Sequence, residues 1–415
     1  MAKNKKKQTA KKKANTNKKV SGVVAEKAAP AADKKAAPAQ CKCDSALRWK
    51  IIAGVLAVAL ITVSCVWGFT ATNNNCADTK CVSEKADDKE EDALSLWTDS
   101  APLKTELTEY MKAITDESSD DFIPVENRIA VFDMDGTLCC ETDPGYFDHK
   151  LLYHRVMEDP DYKDKASKEE KETCKIIKEY FDTGKYPEGL DVRHGKAVAS
   201  AFKGMTPDEF YAYVKSYRDT QTESYTGMTN GQAFYKPMLQ VVDYLKDNDF
   251  TVYIVSGTDR LITRGLCDGT IDIPFAQMIG SDENFVATNQ GDKDGLEYTF
   301  SKDDKLITGG KFLIKNLKMN KVTVIQREIG VQPVLCFGNS SGDGAMANYT
   351  ITNNKYKSGA FLLCCDDTER ENGNLEKAEK MRKSCEENGW TAVSMKDDWT
   401  TIYGDGVTYN KKASE

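Results

Sequence analysis

Apolar and polar positions divide the chain into distinct regimes. Residues 51–70, IIAGVLAVALITVSCVWGFT, are twenty consecutive positions without a charge, enough, as a helix rising about 1.5 Å per residue, to span roughly 30 Å. This predicts a transmembrane helix. From Leu103 the apolar residues become periodic: TELTEYMKAI predicts a helix leading into IAVF at 129–132, apolar at every position, the pattern of a strand buried on both faces of a parallel sheet. Between about 139 and 234 the chain turns charged and helix-like, as in SKEEKETCKIIKEYFDTG, HGKAVASAFKG and TPDEFYAYVKSYRD, which predicts an inserted, mainly helical unit. Strand and helix patterns then alternate through KPMLQVVDYLKDND, FTVYIVSG, KVTVIQREIG, PVLCFGN, SGAFLLCCD, NLEKAEKMRKSCEENG and WTAVSMKD. That alternation predicts an α/β domain with a parallel sheet covered on both faces.

Charge orients the apolar stretch. Residues 1–50 carry fifteen Lys or Arg against Glu26, Asp33 and Asp44, so about +12, and the remainder of the chain is about −20. Cationic flanks stay cytoplasmic. The tail therefore lies inside and the rest outside, making a single-pass cell-membrane protein with an extracytoplasmic domain. A cleaved signal peptide fits less well, because its basic region would be far too long and no small-x-small site follows Gly68. The Ala/Lys/Pro-rich tail, whose one aromatic residue is Trp49 at its end, has no aromatic interleaving to stack on bases, so it reads as a disordered topology signal and no nucleic-acid partner is expected. Residues 71–97, including EKADDKEED, read as an acidic linker, and 98–415 as the folded domain.

Ten cysteines follow the apolar stretch. Cys76 and Cys81 are the local pair best placed for a disulfide outside the cell, whereas Cys139, Cys336, Cys364 and Cys365 sit in apolar runs where reduced cysteine serves as a small core residue. The three histidines, His149, His154 and His194, are too few and too badly spaced to predict a zinc site.

Candidate chemistry gathers beside strand ends and helix starts. Asp133 and Asp135 follow the 129–132 strand, with Gly136 and Thr137 behind them. Ser256 ends the apolar strand in YIVSGTDR, Lys321 opens the helix KVTVIQREIG, and Asn339 and Asp343 follow PVLCF in FGNSSGDGAM. One carboxylate to attack, another to exchange a proton, a hydroxyl and an ammonium to hold an anion, and further oxygen ligands make a phosphoryl-transfer site. Attack by a carboxylate on a phosphate opposes like charges, at about 4 kcal/mol per charge pair 4 Å apart with an effective dielectric of 20. A hard divalent cation reverses that penalty, which points to Mg²⁺.

DMDGT, the strand-terminal Ser256, Lys321 and GNSSGD, in this order, resemble the haloacid dehalogenase-like phosphohydrolase superfamily. The helical insertion directly after the first motif resembles its phosphoserine-phosphatase-like branch. The resemblance spans roughly residues 128–399, and GNSSGDGAM, CDDTEREN and SMKDDW resemble exported bacterial members. It implies a Rossmann-like core with a helical cap. Asp133 would form an aspartyl-phosphate, and Asp135 would protonate the leaving alcohol and then activate water. Ser256, Gly257 and Lys321 would bind phosphoryl oxygens. Mg²⁺ would be held by Asp133, by Asp135 through its carbonyl, and by Asn339 or Asp343. The fourth motif departs from the family pattern, since Gly338-Asn339 stands where Gly-Asp is usual, and Lys311 in TGGKF is an alternative to Lys321. Asp135 favours a phosphatase over the superfamily's ion pumps, which carry Thr there, and over its dehalogenases, which lack this Asp.

Taken singly, Ser256 reads as a helix N-cap and Lys321 as a solvated helix residue; only their company makes them ligands. Glu141, Asp143, Tyr146 and Phe147 in the insertion are candidates to face substrate, the two rings suiting a cationic, choline-like group. The reading is a membrane-anchored, Mg²⁺-dependent phosphomonoesterase acting on a small extracytoplasmic phosphoester. Its rival is a catalytically weak surface protein that uses the same fold to bind a phosphorylated ligand or partner, a reading Asn339 favours.

Overall fold

The computed structural model describes residues 92–411 of the 415-residue chain. The expected transmembrane helix, the basic tail, the Cys76/Cys81 pair and most of the acidic linker lie outside the described residues. Among those described, no helix is long and apolar enough to cross a membrane.

Helix α1 (Pro102–Thr115) leads to strand β1 (Ile129–Phe132). The insertion follows as α2 (Phe147–Tyr153), α3 (Lys168–Thr183), α4 (Leu190–Ala201) and α5 (Pro207–Arg218), closed by the short strand β2 (Tyr225–Thr226). Next come α6 (Lys236–Asp247), β3 (Thr251–Asp259), α7 (Arg260–Cys267), β4 (Met278–Ala287), β5 (Leu306–Ile314) and α8 (Met319–Val324). Strand β6 (Leu335–Gly338), α9 (Gly344–Ile351), β7 (Gly359–Cys364), α10 (Leu375–Asn388), β8 (Thr391–Ser394) and β9 (Thr408–Tyr409) complete the described chain.

Seven strands form one sheet in the order β5-β4-β3-β1-β6-β7-β8, parallel except for β5. All four residues of β1 are buried, as the unbroken apolar run requires. Ala130 and Phe132 pack in one cluster with Leu103 and Leu107 of α1 and Val241 and Leu245 of α6. Val131 packs in the other with Met346 of α9 and Met381 of α10. Each such large apolar side chain contributes about 1.5 to 3 kcal/mol by leaving water.

Register is what places the chemistry. Phe132 pairs with Phe337, which pairs with Phe361, and their rings stack across three strands at centroid distances of 4.2 and 5.3 Å. A one-residue slip would break that stack and turn every side chain over. Asp133 and Asn339 therefore leave adjacent strand ends together. Because β1 lies between β3 and β6, whose connections depart to opposite sides, a crevice opens at its carboxyl end.

The stretch between β1 and β2 is mainly helical. Helices α3 and α5 begin with reciprocal caps, Ser167 with Glu170 and Thr206 with Glu209, the second reinforced by Pro207 in the first turn; such a cap is worth about 1 kcal/mol. The far end of the expected linker belongs to the domain instead. Leu94 and Trp97 are buried, and the Trp97 ring meets Trp399 edge-on at 5.7 Å. All eight described cysteines are free thiols; Cys139, Cys336 and Cys364 are buried as expected and Cys365 is half-buried. The sequence pattern missed β4 and β5, because MIGSDENFVA is broken by charges and LITGGKFLI by a glycine pair that reads as a turn.

Candidate active site

At the end of β1 the Asp133 N–H donates to the Phe337 carbonyl at 2.9 Å, tying the first carboxylate to the neighbouring strand. The chain then folds back tightly: Gly136 N–H donates to Cys139 O at 2.8 Å and Leu138 N–H to Met134 O at 2.8 Å. Gly136 has φ +80°, and a Cβ there would stand 1.9 Å from the Asn339 side-chain nitrogen. Both reasons call for glycine. Gly136→Ala is expected to destabilise the domain by about 1 to 3 kcal/mol and to displace Asn339, measurable as a lowered denaturant midpoint.

Lys321 occupies the centre of the site. It is fully buried, the third residue of α8 rather than its first, and its ammonium reaches Asp133 Oδ1 at 2.5 Å, Asp343 Oδ1 at 2.8 Å and the Val255 carbonyl. Burial opposes its charge, but the two carboxylates outweigh burial and hold its pKa above the ordinary lysine value. Lys311 is exposed on β5 and lines none of this region. The other oxygen of Asp343 accepts from Asn339 N–H, Ser340 N–H and the Ser340 hydroxyl at 3.0 to 3.1 Å. Asp343 thus spends both oxygens inside the protein.

Asp135 Oδ2 accepts from the Thr258 hydroxyl at 2.8 Å, and Asp135 Oδ1 is buried without a partner. Burial first, then the charges of Asp148 and Asp133, hold its carboxyl well above the usual carboxylate range. Burial and then Asp343 push Asp133 up to about 7 against the pull of Lys321. Ser256 is fully buried behind the cavity wall, its hydroxyl accepting from Thr258 N–H at 3.0 Å; Gly257 and Thr258 form the wall itself.

Asp133, Asp135, Gly257, Thr258, Asn339 and Asp343 line a cavity of about 650 Å³ between sheet edge and cap, and the fully buried Lys321 reaches it only through the two carboxylates it pairs with. The cap contributes Tyr146, Asp148, His149, Tyr186 and Asp191. Of the insertion candidates, Tyr146 donates its hydroxyl to Glu141 at 3.0 Å, and Glu141 pairs with Lys377 across the cavity. Asp143 instead pairs with buried Lys150 at 2.7 Å, and Phe147 is buried against Tyr217. Tyr146, Tyr186 and His149 lie 5.4 to 6.3 Å apart between centroids. Phe147, the second ring of the choline-like expectation, does not line this cavity, so the Tyr146/Phe147 pair cannot frame a cation there.

The zinc argument from histidine spacing needs correction. His149 and His194 lie far apart in sequence, yet they come together with Asp148, their possible ligand atoms within 4.8 Å of one another. His149 Nδ1 is 2.8 Å from Asp148 Oδ1, and His194 Nε2 is 3.2 Å from the Asp148 carbonyl. The imidazoles are stacked at 4.1 Å with planes 14° apart. Lone pairs of stacked rings run side by side instead of converging, so the arrangement suits a hydrogen-bonded cluster better than a tetrahedral centre. Burial keeps His194 neutral, its pKa lowered to about 3. The sequence reading missed Asp148, both histidines, Thr258, Lys315 and Lys318. Only Thr258, two residues beyond Ser256, carried a positional hint.

The donor set fits a hard cation. Asp133, Asp148 and Asp343 are buried here and Asp135 is half-buried, against one buried ammonium, Lys321, so oxygen donors exceed buried positive charge. The Asn339 amide nitrogen is buried without a partner, and a half-turn of that amide presents its oxygen instead.

No protein-family model matches the chain, and no curated protein matches it. Solved structures do. A conserved functionally unknown protein from Anaerococcus prevotii is 16% identical, with 70% of this chain and 91% of that one covered and a TM-score of 0.43. Cytosolic 5'-nucleotidase IIIB bound to cytidine is 12% identical over 73% of this chain and 90% of its own, with a TM-score of 0.42. A phospho-aspartyl intermediate analogue of phosphoserine phosphatase is 14% identical over 61% and 90%, with a TM-score of 0.32.

Proposed function

We propose that the domain is a Mg²⁺-dependent phosphomonoesterase of the haloacid dehalogenase type. One observation carries the reading: Asp133, Lys321 and Asp343, remote in sequence, meet at 2.5 and 2.8 Å at the carboxyl end of the central strand, with Asp135 opening on the same cavity.

In this reading an Asp133 oxygen attacks phosphorus and the bond to the leaving alkoxide breaks. Asp135, kept protonated by burial and by Asp148 and Asp133, gives the alkoxide its proton. The resulting Asp135 carboxylate then takes a proton from water, whose oxygen attacks the aspartyl-phosphate and releases Asp133. Lys321 keeps positive charge under the phosphoryl group throughout, while Gly257 and Thr258 border it. Ser256 contributes by fixing Thr258 from behind. Mg²⁺, held by Asp133, the Asp135 carbonyl and the Asn339 amide, would neutralise phosphoryl charge. Asp343 would act through Lys321 and the 339–340 backbone.

The test is hydrolysis of a phosphomonoester panel by the full chain in detergent. Activity is expected to vanish in chelator and return with Mg²⁺. Asn339→Ala is expected to raise the Mg²⁺ concentration for half-activity about tenfold or more; an unchanged requirement would remove Asn339 from the metal site. Asn339 also supports the rival reading, because an amide gives the site one negative charge fewer than the usual carboxylate. Tight binding of phosphomonoesters without turnover would favour that rival. The membrane anchor and extracytoplasmic placement rest on the charge asymmetry about 51–70. Protease added to intact cells is expected to degrade the domain and spare the basic tail, and the opposite pattern would invert the topology.

A further inference from the structure

Between β5 and α8 the chain runs along the cavity on a fixed path. Asn316 N–H donates to Ser281 Oγ and its side-chain amide to the Ser256 carbonyl, both at 3.0 Å. The Leu317 side chain stands between Gly257 and the 339–343 loop: a Cβ on Gly257 would lie 2.7 Å from it, and one on Gly342 3.3 Å. Lys318 N–H donates to the Gly342 carbonyl at 2.8 Å. On either side of Leu317, Lys315 and Lys318 line the cavity. The two further lysines that line it are neutralised, Lys377 by Glu141 and Lys380 by Glu376. Neither Lys315 nor Lys318 pairs with a carboxylate among the described residues.

Lys318 also holds a backbone conformation that lysine rarely takes. Its φ is +55° and its ψ −126°, and Asn320 N–H donates to the Leu317 carbonyl at 3.1 Å. It therefore fills the second position of a type II′ turn, where glycine is the natural residue. A side-chain-bearing residue stays in such a conformation only where its surroundings enforce it, above all at binding sites. Two unpaired ammoniums, one of them kept against that strain, match the charge of about −2 on a phosphomonoester group near neutral pH. A carboxylate would leave one of them uncompensated. We propose that Lys315 and Lys318 form a second anion subsite, and that the substrate is a small bisphosphate, a phosphomonoester whose alcohol carries a further phosphoryl group. The inference rests on the phosphomonoesterase reading above and names its substrate class.

Lysines that merely balanced an acidic site would act on every ester alike. The full chain is assayed in detergent with Mg²⁺ on hydroxybutyl phosphate, phosphooxybutanoate and butanediol bisphosphate, linear esters that differ only at the far end. The wild type is expected to favour the bisphosphate over the hydroxyl ester by at least about tenfold in kcat/KM, beyond the factor of about two from its equivalent ends, and to lose that preference as salt rises. Lys315→Met and Lys318→Gly are each expected to remove most of the preference by lowering the bisphosphate value. Lys318→Gly, which suits the turn, is expected to melt no lower than its parent. Equal values on the hydroxyl ester and the bisphosphate, a preference for the carboxylate, or variants that keep the wild-type ratio would overturn the subsite while leaving the phosphatase reading intact. Wild-type protein that hydrolyses none of the esters would overturn that reading instead. Calorimetric binding of the bisphosphate against the hydroxyl ester, to wild type and Lys318→Gly, then decides the subsite by the same ratio.

Discussion

Asp133→Asn is expected to lower turnover by at least about a thousandfold while leaving the metal-free protein at least as stable as its parent near pH 8. The first half follows from chemistry: an amide cannot attack phosphorus, and Asp343, the other carboxylate paired with Lys321, already accepts at its second oxygen from Asn339 N–H, Ser340 N–H and the Ser340 hydroxyl. The second half follows from burial. Asp133 is raised from 3.8 to about 7 by desolvation and by Asp343. A carboxyl with a raised folded-state pKa binds more protons folded than unfolded between those values, so its contribution to stability falls as pH rises from about 3.8 to about 7 and stays low above that. The neutral amide removes this liability, and Lys321 keeps Asp343 as its partner. Melting curves without metal at pH 6 and pH 8 test the sign: the parent loses stability across that interval through Asp133 and the variant loses less.

Lys321→Met should be the most damaging single change to the fold of the site. Two buried carboxylates, Asp133 and Asp343, would face each other with their common ammonium gone, and breaking a buried pair from one side costs about 3 to 5 kcal/mol. Adding Asp343→Asn to that variant is expected to return part of the loss, because the uncompensated charge goes with it. Denaturant titrations with an unchanged slope would report these values. A loss below about 1 kcal/mol, the range of a surface pair, would mean that Lys321 is not the buried counter-ion of the site.

Both variants touch residues that the sequence made legible, and the reason is local. An unbroken apolar run ending in Asp133-Met134-Asp135-Gly136 fixes a strand end, a turn and two carboxylates without reference to the rest of the chain. Asn339 and Asp343 stood out for the same reason. Lys321 could be named but not separated from Lys311, because what distinguishes them is which strand end each faces, a property of the tertiary fold. Ser256 was named as a phosphate ligand, yet its hydroxyl points back to Thr258 N–H; the one-residue twist at a strand end decides which of 256–258 borders the cavity. The Asp148/His149/His194 cluster was invisible because α2 and α4 meet only through packing of the insertion. Its histidines were dismissed on spacing along the chain, which does not measure distance in a helical unit. Strand β5 hid behind its glycine pair.

The most direct test of the account is the covalent intermediate. Full-length protein is mixed with Mg²⁺ and a phosphomonoester, quenched in acid within the first turnover, digested and weighed by mass spectrometry. The account predicts one added phosphoryl group on the peptide that contains Asp133, lost on incubation in alkali and absent from Asp133→Asn. Substrate hydrolysis with no phosphoryl group on that peptide, or with the group on a serine or threonine, would contradict it.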